Sequence, residues 1–142
     1  MKHKPIILDN RTNKNYPLKI FESVFNIVQK NENIGKDSFV NLILVDDDTI
    51  RKINKQYRGL DKRTDVISFP SECKEIPLLG DIIIDTKIAN NQKGNMDIES
   101  ELQRIFLHGL LHLLGYDHIS IKQQQIMDKK EKNYLNLIKL SV

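Results

Sequence analysis

Apolar residues recur along this chain at two different intervals, and each interval predicts a type of secondary structure. Leu18, Phe21, Val24, Phe25 and Val28 follow the three- and four-residue spacing of a helix with one buried face. The compact run FVNLILV, at residues 39–45, is rich in apolar and β-branched side chains and indicates a buried strand. The run GDIIID, at residues 80–85, contains three successive isoleucines, which is typical of a strand covered on both faces.

Over the whole chain, this pattern predicts four strands and about five helices. The predicted strands are residues 4–8, 39–45, 65–69 and 80–85. The predicted helices are residues 17 to about 31–35, residues 48–57, residues 86–95, a long helix that begins at Asp97 or Ser100, and residues 121–140. Elements in this order indicate an α+β fold. Because the sequence contains no repeat and no linker, we expect residues 1–142 to form one domain.

Two of these helices carry more specific expectations about capping and packing. One of the three aspartates at residues 46–48 should cap the second helix, because the first turn of a helix favours negative charge. The inward side chains of that helix are predicted to be Ile50, Ile53 and Tyr57. The packing side of the last helix is predicted to comprise Ile126, Met127, Tyr134, Leu135 and Ile138.

Three of the four histidines lie in one short segment, HGLLHLLGYDH, at residues 108–118. His108 and His112 are four residues apart and therefore share one face of the predicted long helix. Gly115 is the residue type expected where a helix ends in a left-handed turn, and such a turn would let His118 face the other two histidines. In a helix that continued through this point, His118 would lie about 240° around the axis from His112. The spacing H-x-x-x-H-x-x-G-x-x-H also occurs in the metzincin zinc signature.

Three converging imidazoles predict a site for one transition-metal ion, most often Zn²⁺. A fourth coordination position would remain open, as in catalytic sites, whereas structural zinc sites use four protein ligands. Imidazoles also bind nickel, copper and iron, so the spacing leaves the identity of the metal open. The alternative is three histidines without a common partner, and the glycine at the required bend disfavours it.

The overall composition restricts the class of protein. The chain has 142 residues, of which 39% are hydrophobic and 29% charged, as is usual for a globular domain. No apolar run approaches the roughly 18 residues of a membrane span. The basic N-terminus is followed by only three consecutive apolar residues, which is too short for the apolar region of a signal peptide, so no signal peptide is expected. Cys73 is the only cysteine and is expected to be an inert thiol in a loop. Without an intrachain disulfide, a cytoplasmic location is the expectation.

The formal net charge of +3 is compatible with a nucleic-acid partner. Six cationic residues are concentrated within thirteen positions: Arg51, Lys52, Lys55, Arg58, Lys62 and Arg63. The alternative interpretation of such a cluster is a solvated helix face and the loop that follows it.

The segments YRGLDKRTDVISFP, at residues 57–70, and LGDIIID, at residues 79–85, accompany the histidine segment. Together the three segments resemble the YbeY family of bacterial endoribonucleases and rRNA maturation factors, over nearly the whole chain. The resemblance implies an α+β fold with a mixed four-stranded sheet. It also implies one metal ion bound by His108, His112 and His118, and a functionally important arginine at Arg58.

The activity that the resemblance implies is cleavage of single-stranded RNA, with roles in maturation of the 3′ end of 16S rRNA and in ribosome quality control. The implied partners are single-stranded rRNA and the ribosome, with ribosomal proteins as candidate contacts and no membrane partner. Arg58 is the candidate for holding a phosphate through two parallel hydrogen bonds. Both water and the ribose 2′-hydroxyl are candidate nucleophiles.

Two other functions remain as alternatives at this point. The first is a zinc peptidase-like hydrolase, because peptidases share the histidine spacing. In those enzymes, however, a glutamate general base follows the first histidine, and this chain has Gly109 there. The second is a ribosome-associated binding factor in which the metal is structural.

Several other residues have a structural interpretation beside a functional one. Gly109 either lets another element approach the helix or keeps the open side of the metal clear for a nucleotide. Asp117 either orients His118 or caps its own turn. Asp65 and Asp81 are either bases or hydrogen-bonding partners near the site, or solvated carboxylates at strand edges.

Three apolar or small residues near the predicted site also have two interpretations each. Met127 packs either beneath the metal or in the ordinary helix core. Ser68 and Phe69 either line a substrate groove, where Phe69 would stack on an unpaired base, or belong to the core.

Overall fold

The computed structural model describes residues 4–140, so the ends of the predicted 1–142 domain lie outside the described part. Its strands are β1 (Ile6–Asn10), β2 (Phe39–Val45), β3 (Val66–Pro70) and β4 (Leu78–Asp85). Its helices are α1 (Leu18–Asn31), α2 (Thr49–Arg58), α3 (Thr86–Gln92), α4 (Ile98–Leu113) and α5 (Ile121–Leu140). The strands form one sheet in the order β1-β2-β4-β3. β1, β2 and β4 run parallel, and β3 pairs antiparallel with β4, so the predicted α+β fold with a mixed sheet is confirmed.

The sheet carries a hydrophobic cluster on each face. The larger cluster joins the sheet to α1, α4 and α5, with Phe21, Phe25 and Phe106 among its fully buried members. The smaller cluster packs α2 against the other face and consists of Val45, Ile50, Ile67 and Ile83. On β4, Ile82 and Ile84 belong to the larger cluster and Ile83 to the smaller one. The isoleucine run is therefore buried on both faces, as its sequence predicts.

Helix α4 crosses the larger cluster and is the element around which the site is built. Asp97 caps it: its side-chain Oδ1 accepts a hydrogen bond from the backbone N–H of Ser100 at 2.7 Å. Eight of its sixteen residues are buried, including Gly109. Such extensive burial fixes the helix firmly between the sheet and its neighbouring helices, so side chains at its C-terminal end have a defined position.

The loop between α2 and β3 is anchored by a buried ion pair. Arg63 donates hydrogen bonds from Nε (2.9 Å) and from a terminal nitrogen (2.7 Å) to Oδ2 of Asp85. The Asp85 side chain is 0% exposed, and its Oδ1 also accepts hydrogen bonds from the backbone N–H groups of Lys87 and Ile88 at the start of α3. Arg63 therefore attaches the C-terminal end of the cationic segment at residues 51–63 to the end of β4.

Several element boundaries differ from the sequence predictions by two or three residues. β1 is shifted two residues toward the C-terminus, because its register with β2 pairs Ile6 with Val40 and Asn10 with Leu44. As an edge strand with one open face, it accommodates the polar residues at its end. Pro17 precedes α1 at the N-cap position. The N-cap residue of α2 is Asp48, whose side chain makes no cap hydrogen bond, while Oδ1 of Asp47 accepts the backbone N–H of Thr49 at 2.9 Å.

The predictions that Tyr57 and Ile126 pack in the interior were wrong. Tyr57 is 64% exposed and stands edge-on against Phe69, while Asn54, one turn earlier, takes the buried position and bonds the carbonyl of Lys62. Ile126 is 46% exposed because the adjacent Met127 occupies the inner face of α5. Across residues 4–140, no helix has the length and apolar character that crossing a membrane requires.

Candidate metal centre and cleft

The end of α4 is a tight turn centred on Gly115. Gly115 has a φ of 100°, a left-handed backbone angle that side chains with a Cβ rarely adopt. The backbone N–H of Tyr116 bonds the carbonyl of Leu111 at 3.1 Å, and the N–H of Gly115 bonds the carbonyl of His112 at 3.0 Å. These two bonds form a Schellman motif, which reverses the chain direction. The helix stop that the sequence predicts at Gly115 is confirmed.

Because of this turn, the three histidines of the segment lie together. His108, His112 and His118 each offer one ring nitrogen, and these three atoms lie within 4.8 Å of one another. Nε2 of His112 lies 3.1 Å from Nε2 of His108, and the ring of His118 has its centroid 5.1 Å from that of His112. Three nitrogens at this spacing fit one transition-metal ion with a coordination position left for another ligand. The arrangement is thus compatible with a metal site.

Glu131, on α5, determines which nitrogen of His108 faces the cluster. Its Oε1 is in close contact with Nδ1 of His108. The Glu131 side chain is only 17% exposed, so water competes little for this contact. A carboxylate bonded to Nδ1–H leaves Nε2 unprotonated and directed at the other histidines, as metal-binding histidines require.

Burial of His112 favours the form of the ring that binds metals. Burial lowers the pKa of His112, and the neighbouring rings of His108 and His118 lower it further. A lowered pKa keeps the imidazole neutral at physiological pH, and only the neutral ring has a lone pair free for coordination.

The three histidines open onto a cleft of about 570 Å³ between the end of α4 and the β3 edge of the sheet. Its walls are formed by Arg58, Thr64, Asp65, Val66, Ser68, Pro70, His108, His112, Gly115, Tyr116, Asp117 and His118. The cleft therefore unites the histidine segment with the segment at residues 57–70, which are about fifty residues apart in the sequence. Its size suits a small part of a larger substrate.

Arg58 faces this cleft from the last turn of α2. Gly59 follows in a left-handed conformation, with a φ of 70°, and ends the helix there. Within residues 4–140, no carboxylate pairs with Arg58, whereas Arg51 on the same helix pairs with Asp61 at 2.7 Å. The guanidinium of Arg58 is thus free to bind an anion in the cleft.

For Gly109 and Asp117, the structure favours the structural interpretation. A Cβ on Gly109 would lie 3.0 Å from Ser68 Oγ and from Ile82 Cγ2, so the glycine permits close packing of α4 on the sheet. Ser68 lines the cleft and donates a hydrogen bond to the carbonyl of Gly109 at 3.0 Å. Oδ1 of Asp117 accepts the backbone N–H of His118 at 2.7 Å and lies 3.9 Å from its Nδ1, so Asp117 caps its own turn.

The other candidates divide between the cleft and the fold. Asp65 lines the cleft and accepts a hydrogen bond from Gln92 at 3.0 Å. Asp81 accepts one from Asn41 at 2.9 Å and does not line the cleft. Phe69 packs on the α2 side of the sheet, and Met127 is buried in the larger cluster. Cys73 is exposed in the loop between β3 and β4.

Sequence reasoning missed the residues that surround the histidines on the α5 side. Glu131 is one of many charged residues on its helix, and nothing in its spacing distinguishes it. Tyr116 lies within the histidine segment, but its side chain bonds Glu32, which is 84 residues away. Only the docking of α5 and α1 beside α4 reveals these contacts.

Comparison with known proteins identifies the family. A family model described as "Endoribonuclease YbeY" matches residues 7–139. The "Endoribonuclease YbeY" of Desulforamulus reducens is 41% identical over 128 residues, covering 83% of this chain and 84% of that protein. The protein of the same name from Helicobacter pylori is 41% identical over 127 residues, covering 87% and 86%.

A solved structure has a similar fold. The solution structure of TM1509 from Thermotoga maritima has a TM-score of 0.60 and 31% identity, covering 94% of this chain and 88% of that one. The family model's match begins within β1, ends within α5 and includes both segments that form the cleft. This chain therefore belongs to the endoribonuclease YbeY family.

Proposed function

We propose that this chain is a metal-dependent endoribonuclease that cuts single-stranded RNA in the cleft. The proposed metal is Zn²⁺, the ion most often bound by three histidines with an open coordination position. Membership of the family makes it an endoribonuclease, a hydrolase acting on RNA. The observation that carries the metal-dependent mechanism is the convergence of three imidazole nitrogens within 4.8 Å at the bottom of a cleft whose other wall presents Arg58.

In this proposal, His108, His112 and His118 hold the ion. Three neutral ligands would leave a bound Zn²⁺ its full charge, and the ion would then supply polarisation of a phosphoryl oxygen or a lowered pKa of water. Glu131 keeps His108 in the required tautomer, and burial keeps His112 unprotonated. The donor set of three imidazoles also accepts nickel, so a metal analysis of the purified protein belongs with the test.

Arg58 binds the scissile phosphate or its neighbour in this proposal. No carboxylate of the described residues 4–140 pairs with Arg58, so its guanidinium can form two parallel hydrogen bonds to a phosphodiester, whose negative charge complements its own. Asp65 lines the same cleft and is a carboxylate available to accept a proton, whereas Asp117 caps its own turn. A single strand suits the cleft better than a duplex, since its backbone and bases can bend into a narrow opening.

The finer biological role is also a proposal, supported by the family resemblance. We propose that the substrate is the precursor of 16S rRNA near its 3′ end, that the enzyme contributes to ribosome quality control, and that it works in the cytoplasm at the ribosome. The net charge of +3 and the position of Arg58 at the cleft favour an RNA partner.

The direct test is cleavage of labelled single-stranded RNA and of 16S rRNA precursor by metal-stripped and Zn²⁺-reconstituted protein. His112→Ala should abolish cleavage, and Arg58→Ala should weaken it by at least tenfold while leaving bound metal unchanged. Arg51→Ala is the matched control, because Arg51 lies on the same helix but pairs with Asp61 outside the cleft. Cleavage by His112→Ala at the wild-type rate would reveal a contaminating nuclease and refute the proposal.

Two further assays separate the alternatives. Turnover of casein would revive the peptidase interpretation. The chain has Gly109 where a peptidase has its glutamate, and a Cβ there would already lie 3.0 Å from Ser68 Oγ and Ile82 Cγ2. If the metal is only structural, His108→Ala should unfold the protein, and ribosome binding should survive in every variant that still folds. Loss of cleavage with an unchanged melting temperature would favour catalysis.

A further inference from the structure

Glu32 is a largely buried carboxylate that the proposed chemistry does not use. It follows the last residue of α1, and its backbone N–H donates to the carbonyl of Val28 at 2.9 Å. The side chain is 11% exposed. It accepts hydrogen bonds from three side chains: Tyr116 OH at 2.6 Å, Lys130 Nζ at 3.1 Å, and the hydroxyl of Tyr134 in close contact. We call these four residues the Glu32 cluster.

Members of the Glu32 cluster lie close in sequence either to a histidine of the site or to the glutamate that contacts one. Tyr116 lies in the turn between Gly115 and His118, so its hydrogen bond fixes the segment that carries His118. Lys130 and Tyr134 are one turn apart on α5 and flank Glu131, whose carboxylate holds His108. The carboxylate of Glu32 is therefore linked to His118 through the turn at Tyr116, and to His108 through the part of α5 that carries Glu131.

The charges within the cluster complement one another. Lys130 Nζ lies 5.8 Å from the ring centroid of Tyr116 and 6.0 Å from that of Tyr134, so the ammonium sits between two aromatic rings and a carboxylate. Burial by itself would raise the pKa of Glu32, but the hydrogen bonds from Tyr116, Tyr134 and Lys130 outweigh it and lower the pKa. The carboxylate is thus charged at neutral pH, and charge-assisted hydrogen bonds hold side chains more tightly than neutral ones.

We propose that Glu32 is a positioning residue of the metal centre, which fixes His118 through Tyr116 and fixes the helix bearing Glu131 through Lys130 and Tyr134. This inference rests on the proposed three-histidine metal site. A carboxylate that merely stabilised the fold would change the melting temperature and leave the affinity of the folded protein for metal unchanged. A positioning residue changes the affinity and the ligand geometry of the folded protein.

The test measures metal binding by the full chain without reference to RNA cleavage. Zn²⁺ affinity is determined by competition with a chelator, and the visible spectrum of the Co²⁺-loaded protein reports the ligand geometry. The variants are Glu32→Ala, Glu32→Gln and Tyr116→Phe. Glu99→Gln is the control, since Glu99 is an exposed glutamate in the first turn of α4, at the opposite end from the histidines. Melting of the metal-free proteins is recorded in parallel.

We expect Glu32→Ala and Tyr116→Phe to weaken Zn²⁺ binding by about tenfold or more and to alter the Co²⁺ spectrum. Glu32→Gln keeps one acceptor oxygen, so its Zn²⁺ affinity should lie between that of Glu32→Ala and that of the wild type. Glu99→Gln should have the affinity and spectrum of the wild type. Wild-type affinity and spectrum in both Tyr116→Phe and Glu32→Gln would overturn the inference, even if Glu32→Ala fails to fold. A wild-type chain that binds neither ion would refute the proposed metal site itself, and this inference with it.

Discussion

Replacing Arg63 with methionine should destabilise the fold by about 3 kcal/mol, because it leaves the buried carboxylate of Asp85 without its cation. Two hydrogen bonds from Arg63, at 2.9 and 2.7 Å, end on Oδ2 of Asp85, whose side chain is fully buried. Breaking such a pair costs roughly 3–5 kcal/mol when one charge stays buried. The lower end applies here, since Arg63 is 25% exposed and water can enter the space that its guanidinium leaves.

The assay is urea denaturation and thermal melting of four proteins: the wild type, Arg63→Met, Asp85→Asn and the double variant. A loss of about 3 kcal/mol corresponds to a fall of about 10 °C in melting temperature for a chain of this size. Asp85→Asn should cost less, because the amide oxygen still accepts the backbone N–H groups of Lys87 and Ile88. The double variant should be clearly more stable than the sum of the two single changes predicts.

Additive effects of the two substitutions, within about 0.5 kcal/mol, would refute this reasoning, because they would show that the two side chains do not interact energetically. Arg51→Met serves as the control for loss of an arginine from the same basic segment. It breaks the pair with Asp61, in which both side chains are about half exposed, and should leave the melting temperature unchanged.

Three further substitutions test the packing and charge around the site. Glu131→Gln should weaken Zn²⁺ binding about 10–100-fold, measured by chelator competition, and an unchanged affinity would contradict the proposed orientation of His108. Gly109→Ala should lower the free energy of unfolding, measured in urea, by about 1–2 kcal/mol, because the cost of overpacking against Ser68 and Ile82 exceeds the gain of about 1 kcal/mol in helix propensity. A more stable variant would contradict this, because it would show that Ser68 and Ile82 move aside at little cost. Glu32→Gln should be less stable than the wild type at neutral pH. The lowered pKa of Glu32 means that its ionised form contributes stability above its ordinary value of 4.5, and this contribution is lost as the pH falls through the folded-state pKa, so the difference between the two proteins should disappear in acid; a difference that is constant with pH would refute the charge argument.

The centre of the site was predictable because its signals are local in the sequence. The four-residue spacing of His108 and His112 and the position of Gly115 specify a helix and its end, and together they bring His118 back to the pair. The order of strands and helices also indicated the α+β class. Arg58 was found through the resemblance of its segment, and the structure then places it in the cleft.

The parts that were not predictable depend on contacts between distant segments. Glu131 meets His108 only after α5 docks beside α4, and its spacing in sequence carries no sign of this. Helical periodicity placed both Ile126 and Met127 on the buried side of α5, but these adjacent residues point in different directions and only Met127 is buried. Tyr57 was expected inside by the same periodicity, yet Asn54 is held inside by its bond to the loop at Lys62.

The position of Glu131 on α5 has a consequence for how firmly an ion would be retained. His108 and His112 lie on α4 and His118 follows it, whereas Lys130, Glu131 and Tyr134 all lie on α5. An opening of α5 away from α4 would release Glu131 from His108 and, at the same time, Lys130 and Tyr134 from Glu32. Loss of metal should therefore be coupled to local unfolding of α5, and conditions that loosen this helix should speed the release of the ion before the rest of the domain unfolds.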